Sequence, residues 1–114
     1  MAEVTIYHNP RCSKSRETLK LIEDRGIVPT VVEYLRTPPS AEELTRILAR
    51  LGKTPAEIVR KKEAAEAGID PAALSEAELV RAMVAHPTII ERPIVVAGDK
   101  AALGRPPESV LDIL

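Results

Sequence analysis

The residues best suited to chemistry lie near the start of the chain, in the segment HNPRCSKSR at residues 8–16. Cys12 is the one cysteine among 114 residues. The thiolate is the reactive form of cysteine, and it is favoured at helix N-termini and beside cations. The segment supplies three cationic side chains and few bulky apolar ones, whereas a structural cysteine usually has apolar neighbours. We therefore interpret Cys12 as the nucleophile of a thiol enzyme.

Two polar neighbours are candidates to assist Cys12. Ser15 follows three residues later, so in the first turn of a helix its hydroxyl could donate a hydrogen bond to the sulfur. His8 could favour the thiolate as an imidazolium or order the loop with Asn9, and a histidine that only hydrogen-bonds the backbone is an equally open alternative. We take His8 and Ser15, with Cys12, as candidate catalytic residues. His86, just before a proline, is interpreted as a surface residue that ends a helix.

Two arginines that precede prolines form a second pattern. Arg92 stands before Pro93, and Arg105 stands before a pair of prolines. Proline holds the preceding residue in an extended conformation, and the planar guanidinium fork matches a tetrahedral oxyanion. We interpret Arg92 and Arg105 as candidate oxyanion ligands, although two surface arginines remain the alternative. Arg60 begins a run of three basic residues, for which charge alone favours a solvated helix face.

Composition and spacing exclude several classes of protein. The chain carries 16 Lys and Arg against 17 Asp and Glu, and its aromatic residues are two Tyr, so neither a basic field nor base-stacking platforms favour nucleic acid or membrane partners. A cysteine phosphatase loop is excluded because the sixth residue after Cys12 is Thr18 rather than arginine. One cysteine and two distant histidines do not have metal-ligand spacing.

The compartment is also predicted from composition. The sequence contains no apolar signal-peptide stretch and no run of about 18 apolar residues that could span a membrane. A single cysteine cannot form an internal disulfide, which is typical of reducing compartments. We therefore expect a cytoplasmic protein whose disulfides, if any, are with other molecules.

The elements that must position these residues follow from apolar periodicity and from helix-start signals. Strands are predicted at residues 4–7, 30–34, 93–97 and 101–104, and helices at 13–25, 41–51, 54–68, 76–85 and 108–114. The five glycines are expected to end helices or turn strands. The order βαβ, helical block, ββα predicts an α/β fold with a thioredoxin-like mixed sheet. We expect a single domain over residues 1–114 with a helical insertion at about 38–88.

Four separated motifs resemble those of the glutaredoxin-coupled arsenate reductases, which belong to the thioredoxin-like superfamily. The motifs are residues 8–16, Arg60, ERPIVV at 91–96 and GRPPE at 104–108, and they span essentially the whole chain. The resemblance implies that Cys12 is the nucleophile and that Arg60, Arg92 and Arg105 bind the oxyanion. It thus favours a functional role for Arg60. It also implies a cis peptide bond at Arg92–Pro93.

The resemblance further implies a reaction. The Cys12 thiolate attacks the arsenic of arsenate, glutathione joins the arsenic, and glutaredoxin removes glutathione as arsenic is reduced and arsenite leaves. No bound cofactor is expected, because glutathione acts as a co-substrate. The cysteine count independently supports a dependence on outside thiols, since no second cysteine within the chain can resolve an adduct on Cys12.

Two alternatives stay open on the residues. One is a generic monothiol glutaredoxin-like reductase, which would not need three arginines around one oxyanion. The other is a non-enzymatic regulator that binds RNA polymerase. Regulators of that kind in the superfamily sense redox state through a Cys-x-x-Cys pair, and this chain has Ser15 at the fourth position.

Overall fold

The structure is a computed structural model that describes residues 3–114, and the chain packs as two compact units. The first unit comprises the chain up to Thr37 together with Arg92–Leu114. The second unit is the intervening segment, Pro38–Glu91. Cys12, Arg92 and Arg105 belong to the first unit, whereas Arg60 belongs to the second.

The first unit is built on a four-stranded sheet. Its strands are β1 (Val4–His8), β2 (Thr30–Glu33), β3 (Ile94–Ala97) and β4 (Lys100–Leu103), in the order β2-β1-β3-β4. Helix α1 (Ser13–Asp24) connects β1 to its parallel neighbour β2, while β1 with β3 and β3 with β4 are antiparallel. The predicted α/β fold with a mixed βαβ and ββα sheet is confirmed.

The core of the first unit forms where α1 meets the two central strands. The cluster consists of Val4, Ile6, Ile22, Val95, Ala97 and Val110. Strands β1 and β3 are buried almost throughout, while the edge strands β2 and β4 are more exposed. The predicted closing helix is a 3-10 helix over Pro107–Ile113, whose terminal amide from Leu114 donates to Leu111 in the i to i−3 pattern.

The second unit is helical. It contains α2 (Ala41–Leu51), α3 (Lys61–Glu66) and α4 (Glu76–Ala85), with 3-10 turns at Pro55–Ile58, Pro71–Ala73 and Pro87–Ile89. The predicted caps are present, because the Ser40 and Ser75 hydroxyls accept hydrogen bonds from amides three residues later. Among residues 3–114, no helix is long and apolar enough to cross a membrane, and no group of three or more His, Cys, Asp and Glu side chains could hold a metal ion.

The predicted continuous helix over residues 54–68 is wrong, because extended backbone interrupts it. Val59 and Arg60 have ψ angles of 137° and 103°, and α3 begins only at Lys61. Val59 forms an isolated antiparallel bridge with Ile90, flanked by hydrogen bonds of 2.7 Å on either side. The bridge buries both apolar side chains and satisfies backbone groups that the helix would otherwise have paired. Arg60 is therefore the residue that precedes α3, not part of a solvated helix face.

Candidate active site around Cys12

Cys12 lies at the N-cap position of α1, as the sequence predicted. Its extended backbone follows a tight turn in which the Cys12 amide donates to the Asn9 carbonyl at 3.0 Å. The Asn9 side chain accepts a hydrogen bond from the Arg11 amide at 3.0 Å, which braces the same turn. Cys12 is only 8% exposed, so charges beside its sulfur are weakly screened by water.

Arg105 contacts the sulfur directly. Its Nη2 lies 3.7 Å from Cys12 Sγ, which joins two residues 93 positions apart in the sequence. Its Nε donates a 2.7 Å hydrogen bond to the Arg92 carbonyl, so one side of the guanidinium is held by main chain while another nitrogen faces the sulfur. The contact places a charged hydrogen-bond donor directly beside the nucleophilic atom.

Arg92 enters the site through its backbone carbonyl. Its carbonyl holds Arg105, and two of its guanidinium nitrogens, Nε and Nη1, are buried. The structure thus brings together Cys12, Arg105 and Arg92, three of the residues predicted from sequence. The Arg92–Pro93 peptide bond is cis, as the resemblance implied, and Arg105–Pro106 is also cis, which was not predicted.

The hydroxyl of Ser15 faces His8 instead of the sulfur. Ser15 is fully buried, and its Oγ lies 2.6 Å from His8 Nδ1 and accepts a 3.0 Å hydrogen bond from the Asn9 amide. The prediction that Ser15 donates to Cys12 is therefore wrong. Because β1 ends at His8 and α1 has just begun at Ser15, the pair ties the end of the strand to the first turn of the helix.

His8 does not supply the positive charge that one interpretation gave it. Burial lowers the pKa of His8 below its ordinary value of 6.5. The Glu33 carboxylate opposes this shift in pKa, and the Arg16 guanidinium reinforces it. This lowered pKa disfavours the imidazolium at neutral pH. Its structural role is to order the loop through Ser15 and the Asn9 amide, which was the other interpretation.

Arg60 has a different environment, within the second unit. Its guanidinium forms ion pairs with Glu63 at 3.2 Å and with Glu91 at 3.9 Å, and its side chain is 24% exposed. Its amide donates to the Ile89 carbonyl. Its assignment as an oxyanion ligand stays a prediction of the resemblance.

Sequence reasoning missed two residues next to the site, Gly104 and Thr18. Gly104 was expected to turn a strand, yet its φ is not positive, unlike that of Gly26, Gly52, Gly68 and Gly98. It lies instead where a close approach leaves no room for a side chain. The sequence feature that could have indicated Gly104 was its position directly before the Arg-Pro-Pro motif. Thr18 is a fully buried polar residue on α1, which helical periodicity alone does not distinguish from a core position.

Comparison with known proteins gives the family. The sequence pattern of the ArsC family matches residues 7–113. The chain belongs to the ArsC family. It is 52% identical over 115 residues to the uncharacterized protein YfgD of Escherichia coli (strain K12), covering 98% of this chain and 97% of the relative. It is 50% identical over 113 residues to the arsenate reductase of Rhizobium meliloti (strain 1021), covering 97% of this chain and 81% of that protein.

A solved ArsC-type structure agrees with the fold. The arsenate reductase from Vibrio cholerae superposes with a TM-score of 0.93 at 51% sequence identity, covering 99% of this chain and 98% of the other. The thioredoxin-like arrangement predicted from the order of elements is therefore that of the family.

Proposed function

We propose that this chain is an arsenate reductase, with Cys12 as its nucleophile. The observation that carries the proposal is the contact of Arg105 Nη2 with Cys12 Sγ at 3.7 Å, at the first turn of α1. It places a fixed cationic donor where both a thiolate and a tetrahedral oxyanion require one. The names of relatives at about half identity over nearly the whole chain support the same substrate.

The first step is attack of the Cys12 thiolate on arsenic. An arsenic–sulfur bond forms, and one arsenate oxygen leaves with a proton as water or hydroxide. Arg105 and Arg92 balance the negative charge on the remaining oxygens. The first turn of α1 contains no acidic residue, so its backbone amides can donate hydrogen bonds to an anion without repulsion from a neighbouring carboxylate.

The electrons come from external thiols. A glutathione thiol first displaces a second arsenate oxygen as water and so joins its sulfur to arsenic. A glutaredoxin thiolate then attacks that sulfur, the arsenic–sulfur bond breaks with its electron pair left on arsenic, and a mixed disulfide forms between the two donors. Arsenite then leaves Cys12 by hydrolysis. The need for two outside thiols follows from the presence of a single cysteine in the chain. The reaction requires a compartment that maintains reduced glutathione, such as the cytoplasm.

The test is consumption of NADPH by the purified protein with arsenate, glutathione, glutaredoxin and glutathione reductase. We expect turnover that needs every component and that is lost in Cys12→Ser, a substitution that keeps the size of the side chain but removes the thiolate. Reduction of a small glutathione mixed disulfide without any response to arsenate would instead indicate a generic monothiol reductase. If neither substrate is turned over, the enzymatic proposal fails and binding to RNA polymerase becomes the function to test.

A further inference from the structure

Gly104 lies so close to α1 and to the start of β3 that no space is left for a side chain. A Cβ atom built on Gly104 would lie 2.7 Å from Cγ of Pro93, 3.0 Å from Cγ2 of Thr18 and closer still to Thr18 Oγ1. Atoms this close must shift. Neither neighbour is free to do so, because Pro93 and Thr18 are fully buried and the Thr18 hydroxyl donates a 2.7 Å hydrogen bond to the Lys14 carbonyl.

The residue after Gly104 is Arg105, and both are hydrogen-bonded to the segment that precedes β3. The Gly104 amide donates to the Pro93 carbonyl at 3.0 Å, and Arg105 Nε donates to the Arg92 carbonyl at 2.7 Å. The first bond continues the antiparallel pairing of β3 with β4 beyond Ile94 and Leu103, and the second ties the Arg105 side chain to the next residue of the same segment. A displacement of Gly104 away from α1 is therefore carried directly to Arg105.

Helix α1 links the other side of this contact to the sulfur. Thr18 packs against Gly104, and Cys12 stands at the N-cap of the same helix, less than two turns away. The separation of the Gly104 backbone from Thr18 thus determines how far the Arg105 guanidinium stands from Cys12.

We propose that Gly104 and Thr18 are positioning residues that set the distance between the Arg105 guanidinium and the Cys12 sulfur. The inference rests on the proposed function, because that distance matters only if the pair acts on a substrate. Neither residue touches the substrate. Only glycine permits the approach at position 104, and threonine at position 18 supplies both the contact surface and the bond that keeps it in place.

The first test is Gly104→Ala. We expect kcat/KM for arsenate to fall by about ten- to hundredfold, the effect of a shift of about 1 Å in a reacting group. Gly26→Ala is the matched control, because it is the same substitution in the same unit and a Cβ there meets nothing within 4 Å. Its φ of 76° makes alanine strained, so this control should lower Tm while leaving the kinetics of arsenate reduction close to wild type.

A second readout does not depend on arsenate turnover. Iodoacetate is an anion and iodoacetamide is neutral, so the ratio of their alkylation rates at Cys12 reports the nearby guanidinium. Gly104→Ala should lower this ratio severalfold in the wild-type background. It should have no further effect in the background of Arg105→Gln, where the group being positioned is gone. A general loss of structure would not give this dependence on Arg105.

Thr18→Val keeps the proposal testable if Gly104→Ala does not fold. Valine has nearly the shape of threonine but loses the bond to the Lys14 carbonyl and presents a larger methyl group to Gly104, so a smaller fall in the same ratio is expected. A wild-type alkylation ratio in both Gly104→Ala and Thr18→Val, or in whichever of the two folds, overturns the proposal. If the wild-type protein does not reduce arsenate yet the ratio changes as expected, the proposed function fails while the positioning role stands.

Discussion

The two units of the molecule use arginine in different ways. In the first unit, Arg105 is anchored by a main-chain carbonyl and directs a second nitrogen at Cys12 Sγ. In the second unit, Arg60 is engaged by two carboxylates, those of Glu63 and Glu91. The same resemblance assigned both arginines to one oxyanion. Arg105 therefore already directs a cationic nitrogen at the nucleophile, whereas the charge of Arg60 is offset by its two carboxylate partners.

This difference predicts unequal effects of substitution. A cationic donor held in place acts on the charge that develops during reaction, and so affects kcat. A cation whose charge is offset by carboxylates adds less to that stabilisation and acts mainly through uniform binding, which affects KM.

Arg105→Lys should lower kcat/KM for arsenate nearly as much as Arg105→Gln does. The guanidinium makes the two contacts from two different nitrogens, Nε to the Arg92 carbonyl and Nη2 to the Cys12 sulfur, and the single nitrogen of lysine cannot occupy both positions. We expect kcat/KM for arsenate to fall by about a hundredfold in either variant, as when one oxyanion donor is removed. Steady-state kinetics of both variants measure this. Near-wild-type activity of Arg105→Lys would show that only the charge matters and that its anchoring does not.

Arg60→Gln should have a smaller effect, seen chiefly in KM. We expect kcat/KM to fall by about tenfold with kcat largely kept, and the lost ion pairs to cost about 1 kcal/mol of stability or less because they are partly exposed. Lys61→Gln, which removes an exposed cation next in the chain, is the matched control and should remain within about twofold of wild type. Equal losses of kcat in Arg60→Gln and Arg105→Gln would remove the contrast between the two units.

His8 gives the first unit a pH dependence of stability below neutral pH. Since the pKa of His8 is lowered in the folded state, the unfolded chain binds the proton more tightly. The contribution of His8 to stability is therefore complete above pH 6.5 and is lost as the pH falls from there through the lowered pKa of the folded state.

His8→Asn should flatten this loss of stability, because asparagine can place a neutral amide atom near the position of Nδ1 and keep the contact with Ser15. Urea unfolding between pH 7.5 and pH 5 measures the change. The control is His86→Asn, at an exposed helix end, which should retain the acid sensitivity of the wild type. Equal slopes for wild type and His8→Asn would contradict a buried neutral imidazole.

Local features of the sequence predicted most of the fold and the position of the nucleophile. The N-cap position of Cys12, the caps at Ser40 and Ser75, and the parallel pairing across α1 depend on residues close together in the chain. The break at Val59 could not be read in this way, because its bridge partner is Ile90, far along the chain. Local propensity favours a continuous helix there until that partner competes for the backbone.

The contacts that define the site were the least predictable. The spacing placed Ser15 near Cys12 but did not reveal that the Ser15 hydroxyl is hydrogen-bonded to His8. The motifs indicated Arg105 as an anion ligand, yet its contact with the sulfur depends on the pairing of residues 92–93 with residues 104–105. That pairing, and the close approach of Thr18 and Pro93 to Gly104, are properties of the folded unit rather than of any one segment.

The alkylation ratio of Cys12 in wild type, Arg105→Gln and Arg25→Gln tests the central claim most directly. Arg25 is an exposed arginine at the far end of α1, roughly 20 Å along the helix from Cys12, and so controls for net charge. We predict that the ratio of iodoacetate to iodoacetamide rates falls severalfold in Arg105→Gln and stays at the wild-type value in Arg25→Gln. The same ratio in all three proteins would contradict a guanidinium held against the sulfur.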